Sequence, residues 1–346
     1  MQIEELGEAG LIQAISETIH RGNDARNRHF RPGFCLRLSI GDDAAAWNSS
    51  DATTIITSDV MVEGVHFDLS KIGWRDLGWK AIAINLSDIA AMGCAPLCSV
   101  VTLGLRGDLP VNGIIDMYNG MVEASSESGS TIVGGDTVRS PVFFVSVTMT
   151  GEAYRLSRKT KDGGQLLTRR SAKNGDKIAV TGHLGCSSGG LLALNSKVEL
   201  DKDTYNHLVT AHHRPDPRVD EGTLLALNGV QTAIDVSDGL LQDLSKLCKA
   251  SDVGARIHAD AVPVDKFLRR SYPEDWLSLA LSGGEDYELL FTATPDTIET
   301  VSTMSEVPIS IIGDIVKDSK EIRVLDKTGT PMTVNGKSWE HFRQSG

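Results

Sequence analysis

Aspartates are the residues of this sequence whose number and placement most clearly indicate chemistry. Each of four predicted strands runs into an aspartate: Asp43 follows LSIGD, Asp59 follows TTIITS, Asp136 follows TIVGG and Asp235 follows QTAI. Ligands collect at strand ends in α/β sheets, and hard cations such as Mg²⁺ take carboxylate oxygens. A single such aspartate is ordinary, because turns and helix starts also favour it. Four in one chain favour a site for divalent cations.

Asp88 lies in the string AIAINLSDIAAMG, whose apolar residues predict a helix buried on most faces. Asn85 stands three residues earlier, so the two side chains share one face of that helix. A buried carboxylate is costly unless it is paired, hydrogen-bonded or bound to a metal. An internal hydrogen bond or salt bridge would account for Asp88. The metal interpretation is favoured because the other acidic segments need a common centre.

Two strings that contain aspartates, one of which also contains two glycines, each join a predicted strand to a turn. The string Asp235-Val-Ser237-Asp238 precedes a predicted helix. Ser237 or Asp238 is expected to cap that helix, whose first N–H groups could also bind a phosphate. The two glycines before Asp136 allow close approach of the backbone, while the aspartate can reach a cation.

The segment 180–192 carries two competing patterns. It nearly spells a Walker A loop, but Leu191 and Leu192 stand where lysine and serine or threonine are required. Gly185-Cys-Ser187-Ser-Gly189 spells the nucleophile elbow of serine hydrolases, without the HGGG-type oxyanion loop of that class. A closely packed turn between a strand and a helix is the favoured interpretation.

His66 and Glu285 stand in two further distinctive strings, VEGVHF and SGGEDYEL. On spacing alone, a lone histidine is more often structural than functional. The glutamate, coming directly after a Gly-Gly pair, is equally compatible with an ordinary turn.

Two α/β units must position these residues. Predicted strands and helices alternate as far as Tyr154, and the segment 155–176 then loses apolar periodicity and gains charge and glycine, which predicts a linker. A second alternating unit follows. The length of 346 residues also favours two domains, which we place at 1–154 and 155–346.

The composition narrows the class of protein. With 40% hydrophobic residues and a net charge of −12, the chain is predicted to be globular and to bind neither nucleic acid nor anionic membranes. Its five cysteines form no CxxC motif and no Cys/His cluster along the sequence, which favours a reducing compartment and not a zinc site. Neither a signal peptide nor a membrane-spanning run is visible, so a cytoplasmic location is expected.

Seven strings together resemble the thiamine-monophosphate kinases, which share the fold of aminoimidazole ribonucleotide synthetase. The strings are IGDDAA, TSDVMVEGVHF, KAIAINLSDIAAMGCAP, VGGDTVRS, HRPDPRV, AIDVSDGLLQDL and LSGGEDYELLFT. The resemblance extends over about residues 5–345. Its specific part is the pairing of VEGVHF with GGEDYELLFT, because the aspartate motifs alone would indicate only the superfamily.

The resemblance implies an α/β (α+β) fold of two domains, in which the N-terminal domain binds ATP and Mg²⁺ and pairs its sheet with that of a second copy in a homodimer. It implies Mg²⁺-dependent, direct in-line transfer of the γ-phosphoryl group of ATP to thiamine monophosphate. By matching positions, the cations would be held by Asp43, Thr57, Ser58, Asp59, Asp88, Asp136, Asp235 and Asp238. ATP would be faced by Gly135, Asp136, Arg169 and Ser237, with Tyr118 at its border. The thiamine side would be faced by His66, Glu285 and Trp339.

Two alternatives stay open. One is another ATP-using member of the superfamily, such as a selenophosphate synthetase, which uses a reactive cysteine or selenocysteine beside a glycine-rich segment near its N-terminus. Cys35 is the early candidate here and lacks that surrounding sequence. The other alternative, from a different class, is a non-catalytic protein that binds nucleotides or divalent metals.

Overall fold

The computed structural model describes residues 2–25, 35–38, 46–48, 52–154, 165–195, 199–317 and 320–333. The chain forms two compact units. The first comprises residues 1–89 and 94–164, and the second comprises residues 90–93 and 165–346. The division at Gly164 falls within the segment 155–176 whose composition predicts a linker.

The first unit is built around a four-stranded sheet. Its helices are α1 (Ile3–Ala25), α2 (Trp74–Ala91) and α3 (Val111–Glu127), and its strands are β1 (Cys35–Leu38), β2 (Ala46–Asn48), β3 (Thr54–Val62), β4 (Cys94–Leu105), β5 (Thr131–Arg139) and β6 (Phe144–Ala153). β1 and β2 pair as a separate antiparallel ribbon. The sheet has the order β3-β6-β4-β5, in which β4 and β5 are parallel and the other pairs antiparallel.

One face of this sheet lies against the core. Strand β6 alternates between the buried Val145, Val147 and Met149 and the half-buried Ser146 and Thr148. This period of two means that alternate residues face opposite sides of the sheet, and only one side is buried by apolar packing.

Two of the predicted strand ends were wrong. Asp59 lies inside β3, which continues to Val62, and Asp136 lies inside β5, which continues to Arg139. Ladder pairing continues through both aspartates, since Asp59 stands opposite Val147 on β6. A strand with one solvated face accepts polar residues without ending, so polarity alone did not mark the ends.

The second unit is built around a six-stranded sheet in the order β12-β9-β11-β7-β10-β8. Its strands are β7 (Lys177–Thr181), β8 (Thr232–Asp235), β9 (Gly254–His258), β10 (Leu289–Ala293), β11 (Ile309–Val316) and β12 (Ile322–Leu325). Its helices are α4 (Cys186–Asn195), α5 (Lys202–His213), α6 (Val219–Leu227), α7 (Leu240–Ser251), α8 (Lys266–Ser271), α9 (Trp276–Ser282) and α10 (Pro295–Met304). The predicted strand end at Asp235 is confirmed.

Both faces of the second sheet are covered, which explains the nearly continuous apolar runs of its strands. Ile178 and Val180 of β7 pack with residues of α7 in one core. Ala179, between them, packs with residues of α6 and α10 in another. None of the helices in the described residues is long and apolar enough to span a membrane.

The turn from β7 to α4 is the closely packed strand–helix connection that the sequence predicts. Gly185 has a φ of +89°, and an added Cβ there would lie 2.8 Å from Leu268 Cδ2. At Gly190 an added Cβ would lie 2.1 Å from the carbonyl oxygen of Leu208. The glycines of this segment are therefore explained by packing between helices.

Candidate active site

Three oxygen-bearing side chains that the sequence singles out meet in the first unit. Thr57 and Asp59 project from the same face of β3 because they are two residues apart. The Thr57 hydroxyl donates a hydrogen bond to Asp88 Oδ2 on α2. A side-chain hydrogen bond also links Asp59 with Asp88. We refer to Thr57, Asp59 and Asp88 as the β3–α2 cluster.

The β3–α2 cluster places two carboxylates close together. Burial, together with the charge and hydrogen bond of Asp88, raises the pKa of Asp59 from 3.8 to about 7. A bound cation would counteract the shift, because it favours the ionised form of the Asp59 carboxylate. Near neutral pH, the cluster is therefore suited to exchange a proton for a hard cation.

Asn85, one helical turn before Asp88, supplies a further polar atom. Its side chain is fully buried, and its Nδ2 donates to the carbonyl oxygen of Ala81 at 3.1 Å. Its Oδ1 has no hydrogen-bond partner among the described residues. A buried acceptor without a protein partner is normally satisfied by water or an ion. This orphaned oxygen and the hard oxygen donors of the β3–α2 cluster fit Mg²⁺ better than a softer metal.

Ser58 does not join the β3–α2 cluster through its hydroxyl. Its Oγ lies 2.9 Å from Thr148 Oγ1 on β6 and 3.3 Å from the carbonyl oxygen of Val147. The period of two along β3 sends this side chain to the face opposite Thr57 and Asp59. The expectation that the Ser58 hydroxyl stands beside these two residues is corrected by that alternation.

Asp136 is exposed on β5, and its Oδ1 accepts a hydrogen bond of 2.9 Å from the backbone N–H of Thr137. Gly135, just before it, lies so close to β4 that an added Cβ would be 2.0 Å from the carbonyl oxygen of Val101. The close backbone approach that the sequence interpretation expected of both glycines is present at Gly135, whereas a Cβ at Gly134 would meet Val100 Cγ1 at an ordinary 3.5 Å.

His66 closes a turn that follows β3. The backbone N–H of Val62 donates to His66 Nδ1 at 3.1 Å, so the neutral ring carries its proton on Nε2. The side chain of Arg106 pairs with Glu63 in the same turn, and Phe67 packs edge-to-face on Phe143 at 5.3 Å. These contacts fix the position of His66 within the first unit.

Tyr118 lies on α3 and is only 4% exposed. Burial raises the pKa of its phenol above the ordinary value. A ring with so little exposed surface is placed in the interior of the first unit, which does not favour a direct contact with nucleotide.

In the second unit, the start of α7 differs from the sequence expectation. The helix is preceded by Gly239, with a φ of +117°, and neither Ser237 nor Asp238 caps it. The buried Asp243 carboxylate instead accepts from the backbone N–H groups of Asp238 and Gly239, at 2.9 and 3.1 Å. A residue inside the first turn thus reaches back and satisfies two backbone N–H groups at the start of the helix.

Asp235 and Asp238 occupy different environments. Asp235, at the end of β8, is 3% exposed. Asp238 accepts from Lys246 Nζ at 2.5 Å and from Gln242 Nε2 at 3.0 Å. Lys246 was not identified from the sequence. Asp238 precedes α7, so helical spacing could not show its pairing with Lys246.

Glu285 lies on a turn with unusual backbone geometry. Glu285 and Tyr287 have φ values of +64° and +53°, which side-chain-bearing residues rarely adopt. The N–H groups of Glu285 and Tyr287 donate to the carbonyl oxygens of Ser237 and Val236, at 2.8 and 2.9 Å. Strained backbone of this kind is found at binding sites and is held by its surroundings.

Asp286 ties the same turn to the start of α4. Its carboxylate accepts from the backbone N–H groups of Gly185 at 2.6 Å and Ser187 at 3.1 Å. Burial raises its pKa from 3.8 to about 8, although these two hydrogen bonds act in the opposite direction.

Glu288, just after this turn, makes a second set of contacts with distant segments. The sequence did not identify this residue. Arg218 donates to both Glu288 oxygens, at 2.7 and 2.6 Å, and Thr181 donates to Oε2 at 2.6 Å. The sequence offered two indications of this contact, the alternating acidic residues of GGEDYEL and the arginine of HRPDPR. Neither predicts that these two segments, which lie far apart along the chain, come together.

The nucleophile-elbow pattern at Ser187 does not form a hydrolase triad. Ser187 Oγ lies 3.0 Å from His212 Nδ1, and the same Nδ1 lies 3.3 Å from Glu285 Oε2. In a triad the serine and the carboxylate meet different ring nitrogens. Ser187 is also only 1% exposed, so a substrate could not reach it.

The tertiary structure also assembles a group that no sequence motif announces. Cys186, His207 and Asp265 offer ligand atoms within 4.8 Å of one another. The expectation that no cysteine–histidine cluster exists therefore holds for the sequence but not for the fold. The Cys186 thiol is buried, and burial raises its pKa. Asp265 Oδ1 already accepts from the N–H of Phe267 at 2.7 Å.

Three predicted site residues remain, and the structure describes one of them. Arg169 is exposed on a turn in the second unit, and its carbonyl oxygen accepts from Ser251 Oγ at 2.8 Å. Asp43 and Trp339 lie outside the described residues.

Comparison with known families agrees with both units. Residues 41–153 match the N-terminal domain of AIR synthase related proteins, and residues 173–326 match their C-terminal domain. The fold and the acidic site thus define an AIR synthase related protein.

Individual relatives identify a more specific family. The chain is 36% identical over 313 residues to thiamine-monophosphate kinase of Escherichia coli K12, covering 89% of this chain and 92% of the relative. A crystal structure of thiamine-monophosphate kinase from Stenotrophomonas maltophilia K279a superposes with a TM-score of 0.79 at 33% identity, covering 90% of this chain and 95% of that one. AaThiL complexed with AMPPCP and TMP superposes with a TM-score of 0.75 at 29% identity, covering 99% of each chain. The chain belongs to the thiamine-monophosphate kinase family.

Proposed function

We propose that this protein transfers the γ-phosphoryl group of ATP to the phosphate of thiamine monophosphate, giving thiamine diphosphate and ADP. The observation that carries the proposal is the β3–α2 cluster, in which Thr57, Asp59 and Asp88 converge in a chain of this family. The relative AaThiL, complexed with AMPPCP and TMP, supports the same pair of substrates.

Magnesium is the proposed cofactor. Thr57, Asp59 and Asp88 would hold one ion in the first unit. Asp43 and Asp136 are proposed ligands of further ions, since Asp136 stands opposite Thr102 of β4 and shares the sheet face of Ser58, not that of Thr57 and Asp59. Asp235 and Asp238 are proposed cation ligands in the second unit, and Ser58 is proposed as a further ligand in the first. Mg²⁺ supplies charge neutralisation between two phosphorylated reactants that otherwise repel each other.

The side chains of this protein serve mainly to bind and orient the two substrates. The attacking atom is a phosphate oxygen, which is largely ionised at neutral pH, so no strong general base is required. The proposed transfer is direct and in line, with no phosphoenzyme, so catalysis rests on positioning and charge.

The proposed substrate contacts follow the family resemblance. His66 and Glu285 would face the thiamine side, and both sit on turns fixed by several hydrogen bonds. Trp339 is proposed to stack on the cationic heteroaromatic ring. ATP would be met by Gly135, Asp136, Ser237 and Arg169, whereas Tyr118 has little exposed surface for that role.

A coupled assay of ADP formation tests the proposal. Thiamine monophosphate, thiamine and unrelated monophosphates are compared with ATP and Mg²⁺, each with and without EDTA. We expect ADP only with thiamine monophosphate and Mg²⁺. Binding of ATP and Mg²⁺ without ADP formation from any thiamine phosphate would instead support a non-catalytic binding protein.

We also propose a homodimer that works in the cytoplasm. The sheet face of the first unit that turns away from the core carries exposed Ile56, Val60, Val100 and Val138, with Ile56 71% exposed. Exposed apolar patches of this kind are often covered by a partner. The four described cysteines that are free thiols suit a reducing compartment.

A further inference from the structure

A buried histidine contacts the carboxylate that is proposed to face the thiamine side of the substrate. His212, on α5, places its Nδ1 3.3 Å from Glu285 Oε2. The His212 side chain is 9% exposed, whereas that of Glu285 is 31% exposed. The histidine is thus enclosed, and the carboxylate it contacts still reaches the surface.

A hydrogen bond across this 3.3 Å contact would require a proton on Nδ1. An unprotonated ring nitrogen and a carboxylate are both acceptors, so only Nδ1–H can bond to Glu285. Ser187 Oγ, 3.0 Å from the same nitrogen, borders the ring from α4. The backbone N–H of Ser187 donates in turn to Asp286, the residue after Glu285. The helix start and the turn therefore hold each other on both sides of the histidine.

Backbone contacts alone do not determine where the Glu285 carboxylate points. The main chain of Glu285 is fixed by its hydrogen bond to Ser237 and by its left-handed φ of +64°. A glutamate side chain nevertheless has three rotatable bonds, and fixing them costs conformational entropy on binding. An anchor on the carboxylate itself reduces that cost, which is the advantage of a preorganised site.

We propose that His212 is a positioning residue that determines how Glu285 meets the thiamine part of the substrate, while the phosphates are handled elsewhere. The inference rests on the proposed function, since it assigns Glu285 to substrate binding. It predicts an effect on recognition of thiamine monophosphate and not on recognition of ATP.

A pair of matched substitutions tests it. His212→Asn keeps a donor at the position of Nδ1, whereas His212→Gln moves the amide to the position of Nε2. For H212Q we expect the KM for thiamine monophosphate to rise about tenfold, with kcat and the KM for ATP changed less than about twofold. H212N should retain a KM within about twofold of the unsubstituted protein. Asn206→Ala, at an exposed position of the same helix, serves as the control.

Thermal unfolding and calorimetric titration with thiamine monophosphate accompany the kinetics. Equal affinity for this substrate in H212N, H212Q and the unsubstituted protein overturns the inference and leaves the proposed function intact. Loss of kcat or a rise in both KM values, together with a lowered Tm, also overturns it, because that pattern indicates a merely structural role. An unsubstituted protein that forms no ADP from thiamine monophosphate overturns the proposed function itself.

Discussion

At the scale of single residues, the β3–α2 cluster combines features that oppose stability in the absence of a cation. Asp59 and Asp88 are close, partly buried and both acidic, and the pKa of Asp59 is raised to about 7 as a result. Sites that bind charged ligands commonly carry such a cost, which the ligand relieves.

Asp88→Asn should reduce turnover at least ~100-fold, equivalent to about 2.7 kcal/mol of transition-state stabilisation. The substitution keeps the side-chain size but removes a charge from the proposed cation site. Steady-state rates with saturating ATP and Mg²⁺ measure the effect, with circular dichroism as the check on folding. Asp296→Asn, exposed on α10, is the matched control. Near-normal turnover of a folded D88N protein would contradict the role of the cluster.

Asp59 should make the metal-free protein less stable as the pH rises. Its pKa is about 7 in the folded protein and 3.8 ordinarily, so between these values the folded state keeps a proton that the unfolded state has lost. Stability is therefore full below the lower value and is lost as the pH approaches the higher one. The slope is at most about 1.4 kcal/mol per pH unit.

Urea unfolding in EDTA across this pH window, for the unsubstituted protein and Asp59→Asn, measures the contribution of Asp59 as a difference. We expect D59N to become progressively more stable than the unsubstituted protein towards neutral pH, even though it loses activity. A difference independent of pH would show that Asp59 keeps an ordinary pKa.

At the scale of elements, two simple features of the strands position the site. The period of two along β3 directs Thr57 and Asp59 to one face and Ser58 to the other. The close approach of β5 to β4 requires a residue without a side chain at Gly135. In the second unit, the turn around Glu285 is held by the residues that follow β8 on one side and by the start of α4 on the other.

Gly135→Ala should destabilise the first unit by about 1–3 kcal/mol, because the new methyl group would meet the Val101 carbonyl oxygen at 2.0 Å. Gly134→Ala is the matched control, since its Cβ would meet Val100 Cγ1 at an ordinary 3.5 Å. Chemical denaturation compares the two variants. Equal stability of both would show that β5 can shift to accept a side chain, contrary to the close packing described.

At the scale of the whole molecule, the proposed homodimer depends on the exposed sheet face of the first unit. Ile56 stands out because it is 71% exposed on an edge strand. A lysine there would place a charge inside the proposed interface, where burial is costly.

Ile56→Lys should convert the proposed dimer into monomers. Size-exclusion chromatography with light scattering measures the molar mass at several concentrations. Met304→Lys, which changes a residue 58% exposed on α10, should leave the mass unchanged. A purely monomeric unsubstituted protein, or a dimer that persists in I56K, would exclude this face as the interface.

The sequence was sufficient to predict the family and much of the fold. Its hydrophobic periodicity predicted the main helices and strands, and its seven strings indicated the family that the comparisons confirmed. It was less reliable where strands end, because β3 and β5 carry aspartates without interruption. The proposed roles of Asp43 and Trp339 lie outside the described residues and stay predictions.

The sequence by itself determined the class of chemistry, since the family strings and the acidic residues can be read along the chain. Only the tertiary structure decided which of these groups meet. It joined Thr57 with Asp88, turned the Ser58 hydroxyl away, and brought Ser187, His212 and Glu285 together. The physical reason is that periodicity and capping are local properties, whereas such contacts depend on strand register and helix packing between distant segments.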